Sequence, residues 1–278
     1  MEIFGANLKM NPVPKDNKNT SYQQLVNLVI NGYLSTDHRG IAGTAEKRII
    51  VFAPFTHLPQ LRNWKSFLNN QKIELGSQDV SEQVSGAYTR QISPVWLKEL
   101  GVSTVLIGHS EVRKEYEDIL EEASPCGYYA EAIDRLFNRK IRNALAHGLE
   151  IVYCVGETEK EKQKDETKKV IKRQIIYGLN AFNKEELGKV IIAYEPRWAI
   201  GGGKPIPSDE EIRTAHNQIR ENACEVGFNL EKLIIMYGGS MDESNAGRIM
   251  AIPGVNGGLI GSASLNSERF AGIVNYRR

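Results

Sequence analysis

Residues 190–205 read VIIAYEPRWAIGGGKP, an apolar run that ends in a carboxylate, a proline and a glycine-rich stretch. The apolar part is short, rich in β-branched side chains and bounded by turn residues, which indicates a strand buried on both faces. Glu195 therefore stands at the mouth of a buried strand, with a hinged segment directly after it. Exclusion of water by such a segment raises the basicity of a carboxylate, so Glu195 is a candidate general base.

The same kind of apolar run occurs eight times along the chain. The runs cover residues 3–8, 48–54, 73–78, 104–108, 150–155, 189–195, 232–237 and 257–261. Amphipathic stretches long enough for crossover helices lie between them, at residues 57–69, 130–147, 160–180, 208–225 and 242–251. Strand–helix alternation predicts an α/β fold with a parallel sheet. Eight repeats favour a closed (β/α)8 TIM barrel over a doubly wound open sheet.

The length and composition suit one large domain. The chain has 278 residues, of which 41% are hydrophobic, and this is enough to bury a substantial core. No Pro-rich linker or low-complexity tract divides it, so we expect a single catalytic barrel domain over residues 1–278. Residues 37–47 read as an extended loop, and the acidic residues 114–129 read as an excursion before a helix.

Charge and cysteine content exclude several classes of function. The formal net charge is +1, so no global field attracts nucleic acid or an acidic membrane. Three scattered cysteines, Cys126, Cys154 and Cys224, are too few for a disulfide framework or a paired metal motif. The chain shows neither an N-terminal signal core nor a membrane-length apolar segment. We expect a cytoplasmic protein with reduced thiols and no bound metal.

Polar residues follow several of the predicted strands, and a barrel gathers its strand ends at one mouth. Glycine-lined turns there let backbone amides approach a phosphate dianion closely. Taken singly, each residue also has an ordinary structural interpretation, such as a surface salt bridge, a solvated lysine or a plain turn. The candidate catalytic residues are Asn7, Lys9, His109 and Glu195, and the candidate substrate-binding residues are Gly201, Ser240, Gly261 and Ser262.

Six motifs in this order resemble the triosephosphate isomerase family: NLKMN at 7–11, GAYT at 86–89, IGHSE at 107–111, CVGE at 154–157, YEP at 194–196 and YGGS at 237–240. The match runs from the first predicted strand to the last. The resemblance implies the interconversion of dihydroxyacetone phosphate and glyceraldehyde 3-phosphate through an enediol. It implies no cofactor and no metal, and a place in glycolysis and gluconeogenesis.

The resemblance also implies a role for each catalytic candidate. Glu195 would move the proton between neighbouring carbons. His109 would polarise the carbonyl as a neutral imidazole, since a helix that begins at Ser110 disfavours the imidazolium. The family is itself a standard example of such tuning. Lys9 would supply positive charge, and Asn7 would orient either that lysine or a substrate oxygen.

Residues 197–204 resemble the family's closing lid, and Tyr237 is either a latch for the closed lid or a tyrosine that satisfies a local carbonyl. Residues 79–93 resemble the loop by which subunits of the family interlock, with Thr89 reaching the partner in a homodimer, although an ordinary surface loop is the alternative. Arg197 and Ser262 stand where the family usually has valine and glycine.

Two alternative functions stay open: an isomerase of a related sugar phosphate such as a tetrulose phosphate, and a non-catalytic phosphate-binding barrel.

Overall fold

A computed structural model of the chain describes residues 1–11, 47–62, 73–124, 129–201 and 203–276. Its eight strands form a closed parallel barrel in chain order, β1 to β8, as the sequence predicts. Most of the predicted loop 37–47, together with Cys126 and Gly202, lies outside the described residues. Within the described part of the chain, no helix combines the length and apolar character that crossing a bilayer requires.

All eight strands lie within three residues of their predicted bounds. They are β1 Glu2–Asn7, β2 Lys47–Ala53, β3 Ile73–Ser77, β4 Val102–Ile107, β5 Glu150–Val155, β6 Val190–Tyr194, β7 Ile235–Tyr237 and β8 Gly257–Ile260. The prediction succeeds because strands covered by helices on one side and by the barrel interior on the other are apolar throughout.

The helices lie outside the barrel. Those that both begin and end within the described residues are α1 Pro94–Glu99, α2 Ser110–Ala123, α3 Ala130–Ala146, α4 Glu159–Gln163, α5 Thr167–Leu179, α6 Lys184–Leu187, α7 Asp209–Val226, α8 Ala246–Met250 and α9 Ser267–Val274. Single-turn 3-10 helices occupy Phe55–His57, Arg197–Ala199 and Ser262–Leu265.

Two helix predictions need correction. Residues 160–180 were expected to form one helix, but they divide between α4 and α5, with Asp165 between them in the left-handed region at φ 56°. Residues 114–129 were expected to be an excursion, but residues 114–123 continue α2 without a break. This second difference matters for function, because α2 begins at the predicted active-site histidine.

Local signals set the ends of the longest helix, α7. Ser208 accepts a hydrogen bond from the Glu211 amide, and the Glu211 carboxylate accepts one from the Ser208 amide, which is a capping box. Gly227 ends the helix at φ 103°, a conformation that glycine adopts without steric cost. The sequence thus encodes both ends of this crossover.

The barrel interior is filled by side chains, so it is a packed core. Successive residues of a strand point to opposite sides, so that Ile50 and Phe52 of β2 enter the interior while Ile49 and Val51 pack under the helices. Phe52 needs space from the next strand. A Cβ atom on Gly76 would lie 2.4 Å from the Phe52 ring, so a glycine there lets the phenyl ring pack.

His216 on α7 is a fully buried histidine behind the barrel. Its Nδ1 lies 3.1 Å from the Gly254 carbonyl oxygen, and its ring meets the Tyr194 ring edge to face at 6.0 Å. Its Nε2 has no hydrogen-bond partner among the described residues. Burial is the main cause that lowers the pKa of His216 from 6.5 to about 4.

We expect this histidine to make stability depend on pH. The unfolded chain binds the proton at higher pH than the folded chain does, so stability is full above pH 6.5 and falls as the pH decreases toward 4. The His216 contribution lost between pH 7 and pH 5 is about 2 kcal/mol. Urea unfolding of the wild type and His216→Asn at both pH values tests this. An equal pH dependence in the two proteins would contradict it.

Candidate active site

One cavity of about 340 Å³ opens at the carboxyl ends of the strands. Its volume is near the lower end of the range of about 300–1,000 Å³ usual for small-molecule sites. The structure brings all eight predicted site residues to its walls: Asn7, Lys9, His109, Glu195, Gly201, Ser240, Gly261 and Ser262. The cavity therefore places a carboxylate, an imidazole and a lysine beside three glycine-containing turns.

Glu195 and His109 are in direct contact in this cavity. The Nε2 atom of His109 lies 3.0 Å from Oε1 of Glu195, and the two residues are only 6% and 3% exposed. The other carboxylate oxygen, Oε2, accepts a hydrogen bond from the Ser110 amide at 2.7 Å. The carboxylate thus spans the imidazole and the first amide of α2, so both partners come from the segment that follows β4.

The backbone fixes the orientation of the His109 ring. Gly108 precedes it at φ 74°, and this left-handed turn leads from β4 into the helix. His109 is the N-cap of α2, and its Nδ1 accepts a hydrogen bond from the Glu111 amide at 3.3 Å. A backbone amide can only donate, so Nδ1 is the acceptor in this contact. The other ring nitrogen, Nε2, is directed at Glu195.

The surroundings of Glu195 act on its pKa in opposite directions. Burial does push this pKa upward, but His109, the Ser110 amide and the charge of Lys9 outweigh burial, and the pKa is lowered from its ordinary value. Glu195 is therefore an ionised carboxylate at neutral pH. It is present in the form that a base requires, although its contacts hold its basicity down.

Lys9 is held in a strained position beside the cavity. Its φ is 50°, in the left-handed region that costs a residue with a side chain of order 1 kcal/mol or more. The Asn7 side chain accepts a hydrogen bond from the Lys9 amide at 3.1 Å, and the Lys9 ammonium pairs with Glu111 at 2.6 Å. Asn7 and Glu111 thus fix Lys9 from its two ends.

Small residues from the turns after β6, β7 and β8 line part of the cavity. A Cβ atom on Gly261 would lie 3.3 Å from Cε of Lys9, so a side chain there would crowd the lysine. Ser240 donates a hydrogen bond from its hydroxyl to the Ala199 carbonyl at 3.2 Å, which ties the turn after β7 to the segment after β6. Gly201, in the left-handed region at φ 111°, and Ser262 also line the cavity.

The segment after Glu195 is anchored at its base. The Trp198 indole donates to the fully buried Glu157 carboxylate at 2.7 Å, and the Tyr194 hydroxyl donates to the same carboxylate at 3.1 Å. The carboxylate of Glu157 thus accepts its hydrogen bonds from neutral donors. The Tyr237 hydroxyl, in contrast, is buried and has no hydrogen-bond partner among the described residues.

Sequence reasoning did not find several contacts that shape the site. Gln78 donates to the carbonyl oxygens of Lys9 at 3.0 Å and of Phe52 at 3.1 Å, and so braces the turn that carries the lysine. Gln78 directly follows β3, so the rule that polar residues follow catalytic strands would have found it. Lys204 and Arg269 also line the cavity. No group of three or more potential metal ligands occurs in the described ranges.

Comparison with known proteins gives a consistent result over nearly the whole chain. The family model described as triosephosphate isomerase matches residues 2–277. A triosephosphate isomerase from Alkaliphilus oremlandii is 34% identical over 276 residues, covering 99% of this chain and 98% of that protein. One from Caldanaerobacter subterraneus is 37% identical over 235 residues, covering 84% and 87%. The crystal structure of triosephosphate isomerase from Bartonella henselae superposes with a TM-score of 0.76 at 28% identity, covering 98% and 97%.

Proposed function

This chain belongs to the triosephosphate isomerase family, and from that premise we propose that Glu195 and His109 carry out the family's proton transfer in the cavity. The reaction interconverts dihydroxyacetone phosphate and glyceraldehyde 3-phosphate. The observation that carries the assignment is the 3.0 Å contact between the Glu195 carboxylate and the His109 imidazole beside Lys9. A base, an electrophile and a cation then face one small space, as an enediol intermediate requires.

Substrate binding has to separate Glu195 from His109, because their direct contact leaves no room for a reacting carbon between them. The Nε2 proton of His109 then turns to the substrate carbonyl oxygen. The carboxylate gives up its contacts with His109 and Ser110, which lower its pKa, while burial, which raises it, remains. Glu195 thereby becomes a stronger base when the substrate is in place, and it returns the proton to the neighbouring carbon.

Lys9 stabilises the negative oxygen of the enediolate, and Asn7 holds the lysine in position. The phosphate group is bound by backbone amides of Gly201, Ser240, Gly261 and Ser262, since small residues allow the main chain to approach a dianion. The Ser262 hydroxyl adds one donor at this end. Residues 1–278 act as one catalytic barrel domain.

The test of this function is a coupled assay on dihydroxyacetone phosphate, run beside a tetrulose phosphate. We expect fast conversion of the triose phosphate and slow conversion of the tetrulose, because no feature of the site favours the larger sugar. Faster turnover of the tetrulose would assign the cavity to a different sugar phosphate. Absence of turnover on both would leave a phosphate-binding barrel without catalysis.

Tyr237 serves as the latch of the closed lid in this scheme, because its buried hydroxyl has no partner among the described residues and a lid amide could supply one. We expect Tyr237→Phe to lower kcat by about tenfold, the equivalent of one hydrogen bond of about 1.4 kcal/mol, and to leave folding intact. Steady-state kinetics and a thermal melt measure the two effects. A wild-type kcat would make Tyr237 an ordinary core residue.

The functional unit is a homodimer assembled through the loop 79–93. Residues 84–90 are exposed in the single chain, including Thr89 and the apolar side chains of Val84 at 41% and Tyr88 at 47%. Exposed apolar side chains on a projecting loop are typical of an interface.

The two described cysteines, Cys154 and Cys224, are free thiols, and this supports a reducing compartment such as the cytoplasm.

Tyr88→Asp is expected to dissociate the dimer, because the interface would have to bury an unpaired charge. Sedimentation should give twice the chain mass of 31.1 kDa for the wild type and a single chain mass for the variant. Leu230→Asp is the matched control. Leu230 is also exposed, but it precedes β7 at the other end of the barrel. Dissociation of both variants, or of neither, would argue against this interface.

A further inference from the structure

An ion pair between Arg197 and Glu117 holds the start of the lid segment, which follows Glu195. Arg197 opens the 3-10 turn Arg197–Ala199, and its guanidinium donates to both carboxylate oxygens of Glu117, at 2.8 and 2.6 Å. The side chains are 11% and 29% exposed, so water screens the pair only in part. Two parallel hydrogen bonds fix orientation as well as distance. Although burial favours the neutral acid, Arg197 keeps the pKa of Glu117 below its ordinary value.

The helix that carries Glu117 also carries the partners of the reacting groups. Helix α2 supplies the Ser110 amide to Glu195 and the Glu111 carboxylate to Lys9, and His109 is its N-cap. Glu117 lies about two turns beyond Ser110 on this helix. The short segment from Glu195 to Arg197 is thus bound at both of its ends to one rigid element.

We propose that the Arg197–Glu117 ion pair is a positioning contact that fixes the N-terminal hinge of the lid relative to His109. Neither side chain lines the cavity. Both therefore act through the backbone they hold, and they keep the hinge and Glu195 aligned during the lifetime of the enediolate. The inference rests on the proposed isomerase function, since an enediolate forms only if that reaction occurs.

A loosened hinge has a chemical signature. An enediolate that is not reprotonated in place can lose its phosphate. The carbon–oxygen bond to the phosphate breaks with its electron pair leaving on phosphate, the enediolate electrons form the new carbon–carbon double bond, and the released enol becomes methylglyoxal. The amount of inorganic phosphate released per isomerisation therefore reports on the lid. A contact that only stabilised the fold would leave this ratio unchanged.

The same helix offers a matched control. Lys114 and Asp118 form an ion pair at 2.7 Å with both side chains more than half exposed, at 67% and 54%. Asp118 is adjacent to Glu117 in the chain, but its pair lies within α2 and does not reach the lid. Asp118→Asn removes an ion pair from this helix and leaves the hinge contact in place.

The experiment compares Arg197→Gln, Glu117→Gln, the double variant and Asp118→Asn in the full-length protein. With dihydroxyacetone phosphate as substrate, kcat, KM and phosphate release are measured together with the thermal midpoint. We expect each single hinge variant to raise the ratio of phosphate release to isomerisation by about tenfold. A tenfold change corresponds to about 1.4 kcal/mol, which is within the range of interaction energies between residues in contact. The double variant should match the single variants, and Asp118→Asn should match the wild type.

Two further variants guard against misfolding. Arg197→Lys keeps the charge but only one contact point and should give an intermediate ratio. Exchange of the pair, Arg197→Glu with Glu117→Arg, should restore most of the wild-type ratio. A ratio within about twofold of wild type in both single variants, or effects that multiply in the double variant, would overturn the proposal. A wild-type protein that does not isomerise would refute the proposed function itself.

Discussion

Glu195→Asp is expected to lower kcat by about a hundredfold, because shortening the side chain by one methylene group withdraws the base by roughly 1 Å from the carbon-bound proton. The Ser110 amide and His109, which hold the carboxylate, stay in place in the variant. Glycerol 3-phosphate has no carbonyl group, so Glu195 has no acidic carbon-bound proton to remove from it. The Kd of the variant for this compound should stay within about twofold of the wild-type value, because its phosphate binds to the glycine turns. Steady-state kinetics and calorimetric titration measure these two quantities.

Glu195→Gln is the matched comparison, since the amide keeps the size of the side chain and a hydrogen-bond acceptor for Ser110 but cannot take a proton. We expect it to lose a further factor of about ten or more in kcat, within the 10²–10⁴ range that general base catalysis contributes. An aspartate variant with wild-type turnover would remove Glu195 from the mechanism. A glutamine variant as active as the aspartate variant would show that position alone, and not basicity, matters.

The parts of this protein that follow from local sequence could be predicted. Buried strands are continuous apolar runs, so β1 to β8 could be located from the chain alone. Closure of the barrel then brings the residues after those strands to one mouth, which is why Asn7, His109 and Glu195 could be grouped before their distances were known. Topology thus supplied contacts that no local pattern contains.

The contacts that could not be predicted join residues far apart in the chain. Arg197 and Glu117 are separated by 80 positions, and Lys9 and Glu111 by 102. Charged residues are common on helix surfaces, so nothing in the acidic sequence of α2 distinguishes Glu117 from Asp118 until the lid hinge is seen against it. Only three-dimensional packing identifies which of the two reaches Arg197.

The pKa of Glu195 in this structure could not be predicted from the sequence because opposing influences act on one carboxylate. Burial, which the apolar run correctly indicated, raises the pKa. The contacts from His109, Ser110 and Lys9 lower the pKa by more than burial raises it. Their combined effect depends on short interatomic distances, such as those of hydrogen bonds. Such a balance can be resolved only from geometry. The same balance links lid movement to catalysis, because a movement that breaks these contacts changes the basicity of Glu195.

Lys9→Met is expected to weaken both binding and rate, in contrast to Glu195→Asp. Lys9 provides a charge-assisted contact to the anionic substrate, and loss of such a contact raises the Kd for glycerol 3-phosphate by about ten- to a hundredfold. The enediolate carries more negative charge near Lys9 than the substrate does. The decrease in kcat/KM should therefore exceed the decrease in affinity by a further factor of about a hundred.

The backbone at this position makes methionine a suitable replacement. Both residues carry an unbranched side chain and bear the same strain at φ 50°, so the comparison isolates the charge. Lys9→Arg keeps the charge but shifts the donors away from the point that the ammonium occupies beside Gly261, where space is short. It should therefore recover binding better than rate. Normal binding of glycerol 3-phosphate by Lys9→Met would show that the ammonium serves only its ion pair with Glu111, and the electrostatic role of Lys9 in this site would be wrong.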